Sequence, residues 1–279
     1  PQYVHTETPI KSFSLNRKVQ VKSAVNSWYL EQFLNNHKVK VDNFSPICIE
    51  VQLVDSIKNT FDYELSGYEN ESYALKVQAN KITIQAVSQV GAIRAVQTLE
   101  QLSEGTPNNS LIECVEIVDY PAFKLRGFMH DTGRSYISIE DLKTQIRLLS
   151  RFKINTFHWH LTENQAWRFE VKAYPQLTDA AAMTRHKGLF YTQEECTSLE
   201  KYAKRHGITI IPEIDMPGHF SAAMAAYPEF SCNPDGVHRV ETWGGVFTDV
   251  LNVANPKAVR FVKDILDELM AIFPSKNVH

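Results

Sequence analysis

Apolar and polar residues follow two different rhythms along the chain, and the change between them falls near Asp119. Before that point, period-two alternation predicts strands. Ile49, Val51 and Leu53 share one face, and Tyr73, Leu75 and Val77 are followed by a short turn at Asn80-Lys81 and then Ile82, Ile84 and Ala86. The pair around Asn80 reads as a hairpin. Ser88 is placed to cap a helix through Ile93, Val96, Leu99 and Leu102, and Asn26 to Leu34 reads as a second helix. The stretch Glu104 to Ser110 is a loop, one further strand follows it, and Asp119-Tyr120-Pro121 marks a boundary. Residues 1–119 are thus expected to form an α+β domain.

After Pro121 strands alternate with helices, the signature of a parallel sheet covered by helices. Leu125 to His130 is the first predicted strand. Ser138 and Asp141 resemble a capping box ahead of Ile139, Leu142, Ile146 and Leu149, whose spacing is that of an amphipathic helix. Ile154 to Leu161 is the second strand. Cys196, Leu199, Ala203 and His206 repeat the helical spacing up to Gly207, a C-terminal cap, before a third strand from Ile208 to Ile214. Asn255-Pro256 opens another helix, with Val262, Ile265, Leu269 and Ile272 on its apolar face, and Pro274 closes it. Asn277-Val278-His279 reads as the start of a fourth strand.

Polar residues just past the C-terminal ends of such strands face a common site, so Asp131, Arg134, Glu163, Asp215 and His219 are expected to converge. An arginine and an acid after a strand also make an ion pair that fixes a loop, and that reading stands beside the functional one. His158 and His160, two apart in a strand, share a face; they could line a pocket through hydrogen bonds or present two imidazoles to a metal. Trp159 points the other way, beneath a helix. Trp167 and Trp243 follow strands, where an indole suits either a sugar ring or the anchoring of a loop.

The 279 residues, 43% of them hydrophobic, suffice for one large domain or two ordinary ones. A net charge of −3 with no block of like charges argues against nucleic acid or an anionic membrane as partner. No apolar run is long enough to span a bilayer, and the first residues lack the apolar core of a signal peptide. Cys48, Cys114, Cys196 and Cys232 are too far apart for a zinc knuckle and indicate buried free thiols rather than a disulfide scaffold.

Three segments resemble the β-N-acetylhexosaminidases of glycoside hydrolase family 20, in matching order and spacing: Arg126-Gly127-Phe128-Met129-His130-Asp131-Thr132-Gly133-Arg134, His158-Trp159-His160-Leu161-Thr162-Glu163-Asn164-Gln165-Ala166-Trp167-Arg168, and Pro212-Glu213-Ile214-Asp215-Met216-Pro217-Gly218-His219. The resemblance covers about Ser72 to the end. It implies a non-catalytic N-terminal domain over 1–119 and, over 120–279, the first half of a (β/α)8 TIM-type barrel. By that resemblance Arg134 binds the hydroxyls of a terminal N-acetylhexosamine. Glu163 and His219 form a network supporting the catalytic glutamate, and Asp215 lies on the same rim. Asn164 stands where many members have a second acid.

In this family the substrate's own 2-acetamido oxygen attacks, while an Asp-Glu pair after the fourth strand orients it and supplies the general acid and base. Val278-His279 resembles the start of that strand, so the general acid is expected beyond His279 and the 279 residues alone are expected not to hydrolyse hexosaminides. The implied partners are N-acetylhexosamine-containing glycans or chitooligosaccharides. No cofactor and no metal are implied, and the substrate class implies an extracytoplasmic location. The other readings are a non-catalytic fragment with weak sugar binding and a metal-dependent hydrolase using His158 and His160.

Overall fold

The computed structural model describes residues 3–6, 11–25, 27–57, 69–106, 108 and 110–279. They form two compact units: one runs to Arg126 and includes Arg205–Gly207, and the other comprises Gly127–Lys204 and Ile208–His279.

The first unit contains strands β1 (Tyr3–Thr6), β2 (Ser12–Ser14), β3 (Lys18–Ser23), β4 (Lys40–Val41), β5 (Cys48–Leu53), β6 (Tyr73–Gln78), β7 (Lys81–Ala86), β8 (Leu111–Glu113) and β9 (Val115–Asp119), with helices α1 (Trp28–Asn36) and α2 (Gln89–Ser103). Seven strands make one mixed sheet in the order β1-β9-β6-β7-β5-β3-β4, and β2 pairs with β8. The predicted hairpin is β6–β7, antiparallel, with Gln78 opposite Lys81; the turn is therefore Ala79-Asn80, and Lys81 already belongs to the strand. Tyr73, Leu75, Val77, Ile82, Ile84 and Ala86 all point into a core shared with Tyr29, Leu30 and Phe33 of α1 and Ala92, Val96 and Leu99 of α2. The Ser88 hydroxyl accepts from the Val90 and Gly91 amides, capping α2 as expected.

Several expectations shift. Ser27 caps α1, and the expected start at Asn26 lies outside the described residues, as do Pro107 and Asn109 of the expected loop. Leu53, at the strand end, is exposed. The single strand expected before Asp119 is two, parted at Cys114, and each pairs with a different partner. Strands β1, β2 and β4 are short and largely polar, which is why alternation does not announce them, whereas β3 is six residues long with Val19 and Val21 alternating with polar neighbours and is a strand the sequence reading omits.

The second unit contains β10 (Gly127–Asp131), α3 (Ile139–Arg151), β11 (Thr156–His160), β12 (Thr162–Glu163), β13 (Ala166–Trp167), α4 (Gln193–Arg205), β14 (Thr209–Glu213), α5 (Ser221–Ala226) and α6 (Pro256–Ile272). β10, β11 and β14 form a parallel sheet in that order. This is the strand–helix alternation read from the sequence: β11 and β14 are slightly shorter than the predicted runs at both ends, while β10 begins two residues later and ends one residue later, at Asp131. The Ser138 hydroxyl accepts from the Asp141 amide at 3.2 Å and caps α3. At the end of α4, Gly207 takes φ +69°, a left-handed conformation that favours glycine, and the Ile208 amide donates to Ala203 O at 3.0 Å. His279 donates to Pro212 O and its carbonyl accepts from Ile214 N, so it pairs with β14 as a parallel neighbour, with Glu213 opposite.

One face of this sheet is apolar: Phe157, Trp159, Leu161, Ile210 and Ile214 pack with Leu142 and Ile146 of α3, Leu199 of α4 and Ile265 and Leu269 of α6. Trp159 is fully buried there, its ring edge-on to Tyr191 and Phe273, with Nε1 donating to the Thr132 hydroxyl at 3.0 Å. Because side chains alternate across a strand, the opposite face takes His158, His160 and Glu213. Of the cysteines, Cys114 and Cys196 are buried, Cys48 is half-buried and Cys232 is exposed, so the expectation of buried thiols fails at Cys232.

Candidate active site at the strand ends

The parallel register sets Asp131 beside His160 and His160 beside Glu213, and the backbone pairing of His279 adds a fourth member. Acid and imidazole alternate across this row. Glu213 Oε2 lies 3.0 Å from His160 Nδ1 and 2.6 Å from His158 Nε2, while its Oε1 lies 3.2 Å from His279 Nδ1. On the other side of the ring, His160 Nε2 is 3.5 Å from Glu163 Oε1 and 4.0 Å from Asp131 Oδ1. Burial works against a charged His160, but the carboxylates of Glu163, Glu213 and Asp131 outweigh it and raise the imidazole to about 9.

Glu163 is the hub of the expected site residues. Its side chain is 1% exposed, yet it stays ionised: burial pushes its pKa up, and His160, the Asn164 amide, Arg134 and His219 together bring it below the ordinary value. Arg134 forms ion pairs with both Glu163 and Asp131, and its own amide donates to Asp131 Oδ1 at 3.0 Å. His219 Nδ1 sits 3.0 Å from Glu163 Oε1. The histidine adopts φ +52° after Pro217-Gly218, a left-handed backbone that costs a non-glycine residue of order 1 kcal/mol and is retained where surrounding contacts hold it. Asp215 has its amide bonded to the Thr162 hydroxyl at 3.1 Å, and one of its carboxylate oxygens lies within 4.8 Å of ligand atoms of His160 and Glu163.

The five residues expected to converge, Asp131, Arg134, Glu163, Asp215 and His219, are therefore brought together. The guanidinium at 38% exposure and the His219 ring at 35% are the accessible parts, above a buried carboxylate. Such a cation, held from behind by two acids, can donate outward to neutral oxygen acceptors. Both readings of Arg134 survive, since it is ion-paired and accessible at once.

Three further residues complete the support; of these only Asn164 was singled out from sequence, as the replacement of an acid. Glu213 binds the two strand histidines, and alternation in β14 signals it, because Ile210 and Ile214 face the core. Asn164 is buried; its Oδ1 accepts from the Ser221 amide at 3.2 Å and hydroxyl at 2.9 Å, and its Nδ2 is 3.4 Å from His219 Nδ1. Arg168 is wholly buried and donates to the carbonyls of Thr132, Arg185, His186 and Leu189, tying the 183–189 segment to the loop that carries Arg134. Burial lowers its pKa to about 10. Trp167 is buried, with Nε1 bonded to Phe169 O at 2.6 Å, so it anchors its loop; Trp243 is 78% exposed, and its carbonyl accepts from Gln165.

Among the described residues two triads, His158–Glu213–His279 and His160–Glu163–Asp215, are close enough to consider for a metal. In the first, two donor atoms 2.6 Å apart on an ion with bonds of about 2.0–2.1 Å would subtend roughly 80°, far from tetrahedral. In the second, Glu163 is already engaged by Arg134, two imidazoles and a backbone amide. At both triads acids and imidazoles lie at ion-pair distances, while His158 Nε2, both ring nitrogens of His160, Glu163 Oε1 and Glu213 Oε2 make no hydrogen bond among the described residues.

Residues 123–279 match the family model "Glycosyl hydrolase family 20, catalytic domain", and residues 1–120 match "Glycosyl hydrolase family 20, domain 2". The chain belongs to glycosyl hydrolase family 20. Within the family it is 42% identical over 224 residues to a beta-hexosaminidase of Porphyromonas gingivalis, covering 76% of this chain and 29% of that protein. It is 39% identical over 222 residues to a beta-hexosaminidase of Vibrio furnissii, covering 75% and 36%. Among solved structures, the Flavobacterium johnsoniae chitobiase superposes with TM-score 0.82 at 33% identity, over 100% of this chain and 43% of that one. The exo-beta-N-acetylglucosaminidase of Vibrio harveyi in complex with N-acetylglucosamine gives 0.80 at 31%, over 100% and 45%. This member of family 20 thus spans about a third of the length of those two curated relatives, and its α+β unit followed by a parallel strand–helix unit is the family's architecture.

Proposed function

We propose that this chain carries the sugar-binding side of the active site of a β-N-acetylhexosaminidase, releasing terminal non-reducing N-acetylglucosamine or N-acetylgalactosamine from glycans or chitooligosaccharides with retention. The observation that carries the reading is the buried Glu163, shared by Arg134, His160 and His219 at convergent strand ends, in a chain matched to the family's catalytic domain. Arg134 donates to the sugar hydroxyls, Glu163 holds Arg134 and His219 in place, and Asp215 lines the rim. The substrate's acetamido oxygen is the nucleophile, so the protein's work is orientation and proton transfer. The proton to the leaving oxygen comes from the Asp-Glu pair that the family resemblance puts after the fourth strand; Glu163 and Asp215 bind and orient. The names of the relatives, a chitobiase and an exo-acetylglucosaminidase among them, support the substrate class, and glycans of that class are met outside the cytoplasm. No described helix is long and apolar enough to cross a membrane.

The test is Arg134→Ala in the full-length protein, assayed on a chromogenic N-acetylglucosaminide. Loss of a charged hydrogen bond to substrate, about 1.5–3 kcal/mol, should lower kcat/KM by about ten- to a hundredfold. A variant that turns over normally yet melts much earlier would leave Arg134 as a structural ion-pair residue and overturn the assignment.

A further inference from the structure

Glu213 touches none of the residues assigned to sugar. Buried at 5% exposure, it meets three imidazoles, and the closest to the site is His160. His160 is itself 3% exposed, and carboxylates face both of its ring nitrogens: Glu213 at Nδ1, Glu163 and Asp131 at Nε2. A neutral imidazole carries one N–H, so either tautomer would turn a lone pair toward an acid; the doubly protonated ring alone offers a proton to each side. Glu163 gains a buried positive neighbour there, because the other charged or titratable side chains on its carboxylate, Arg134 at Oε1 and His219 hydrogen-bonded to Oε2 at 3.1 Å, are the more exposed ones.

We propose that Glu213 is a positioning residue for the sugar site: it clamps His160 from behind, and His160 in turn fixes the Glu163 carboxylate that Arg134 and His219 share. The charged and titratable groups around the clamp are Asp131 from β10, Glu163 from β12, Asp215 past β14, His158 beside it on β11, His279 from the adjoining segment, and Arg134 and His219 across Glu163. Glu213 and Glu163 supply charge on opposite sides of one ring, so losing Glu213 loosens Glu163 without altering a residue that meets substrate. The effect on turnover rests on the glycosidase reading; the clamp itself does not.

The experiment has two arms on the full-length protein. In the first, nitrogen-15 NMR follows the His160 ring of the unaltered protein with pH: the ring should hold both protons through pH 8, and titration near 6.5 would overturn the clamp without any variant having to fold. In the second, Glu213→Gln should lower the His160 pKa from about 9 to about 7. With a variant pKa near 7, only about a tenth of the rings stay protonated at pH 8. kcat/KM should then match the unaltered enzyme at pH 5 and fall about tenfold relative to it by pH 8, with Glu213→Asp recovering most of the loss. A decrease of the same factor at every pH would mean that Glu213 acts only in packing and would refute the proposal. If the unaltered protein hydrolyses no N-acetylhexosaminide, the glycosidase reading fails while the NMR arm still decides the clamp.

Discussion

Gly133 sits between the acid and the arginine of the first strand end, and a methyl group added there has nowhere to go. A Cβ built on its backbone would lie 2.9 Å from Glu163 Cβ, 3.0 Å from Thr162 C and 3.1 Å from Glu163 N. None of these atoms is the end of a flexible side chain, so relief requires the Thr162-Glu163 backbone to move. Overpacking of this kind costs about 1–3 kcal/mol. Gly127, at the other end of the same strand, is the internal control: its nearest neighbour would be Thr156 Cβ at 3.8 Å, an ordinary contact, and replacing a strand glycine by alanine gains up to about 0.5–1 kcal/mol. Urea unfolding followed by tryptophan fluorescence should place the Gly133→Ala midpoint below the parent's and the Gly127→Ala midpoint at or above it, with m unchanged. Shortening the neighbour by Glu163→Asp should not rescue Gly133→Ala, because the clash is with Cβ. Equal midpoints for the two alanine variants would refute the steric argument.

Stability should also depend on pH from both sides. His160, raised from 6.5 to about 9 in the folded state, stabilises fully below 6.5 and ceases to do so as pH rises through about 9; Glu163 and Glu213, held below their ordinary 4.5, stabilise above it and lose that contribution as pH falls further. Melting temperature should therefore plateau between about pH 5 and 7, and His160→Gln should flatten the alkaline decline. Asn164→Ala strands the buried amide and hydroxyl of Ser221, a loss of about 1–3 kcal/mol readable in chemical denaturation. Exhaustive chelation should leave turnover intact; activity lost with EDTA and restored by stoichiometric zinc would revive the His158/His160 metal reading.

What sequence disclosed tracks how local the signal is. α3 was legible because Ser138 and the Ile139, Leu142, Ile146, Leu149 spacing lie within one stretch, and both cap and buried face follow. The strand ends were legible to within a few residues: the apolar runs outlast the hydrogen-bonded ladder at β11 and β14, whereas at β10 the ladder continues to the polar Asp131. Arg134, Glu163, Asp215 and His219 were found through motifs, and the structure gathers them. Glu213 was missed although alternation points to it, because it lies inside an apolar strand rather than past its end. Arg168 had no comparable signal: its partners are backbone carbonyls up to 36 residues away, and carbonyls are identical in every residue type. The parallel pairing of β3 with β5 and of β5 with β7 was equally silent, since it joins segments some thirty residues apart through their backbones.

The row Asp131, His160, Glu213, His279 carries a consequence for how such a protein can change over time. A one-residue slip of β11 against its neighbours would set Trp159 or Leu161 between the two acids and turn His160 into the apolar core. Charge pairing on one face and apolar packing on the other therefore select the same alignment, and the row works as a register key as well as a part of the pocket. A descendant that abandoned sugar chemistry could shed Arg134 or Asp215 from the rim, but it would still need its acids and imidazoles in alternation to assemble the sheet. Persistence of this row in a relative is thus a mark of shared folding, and only the rim above it can report shared activity.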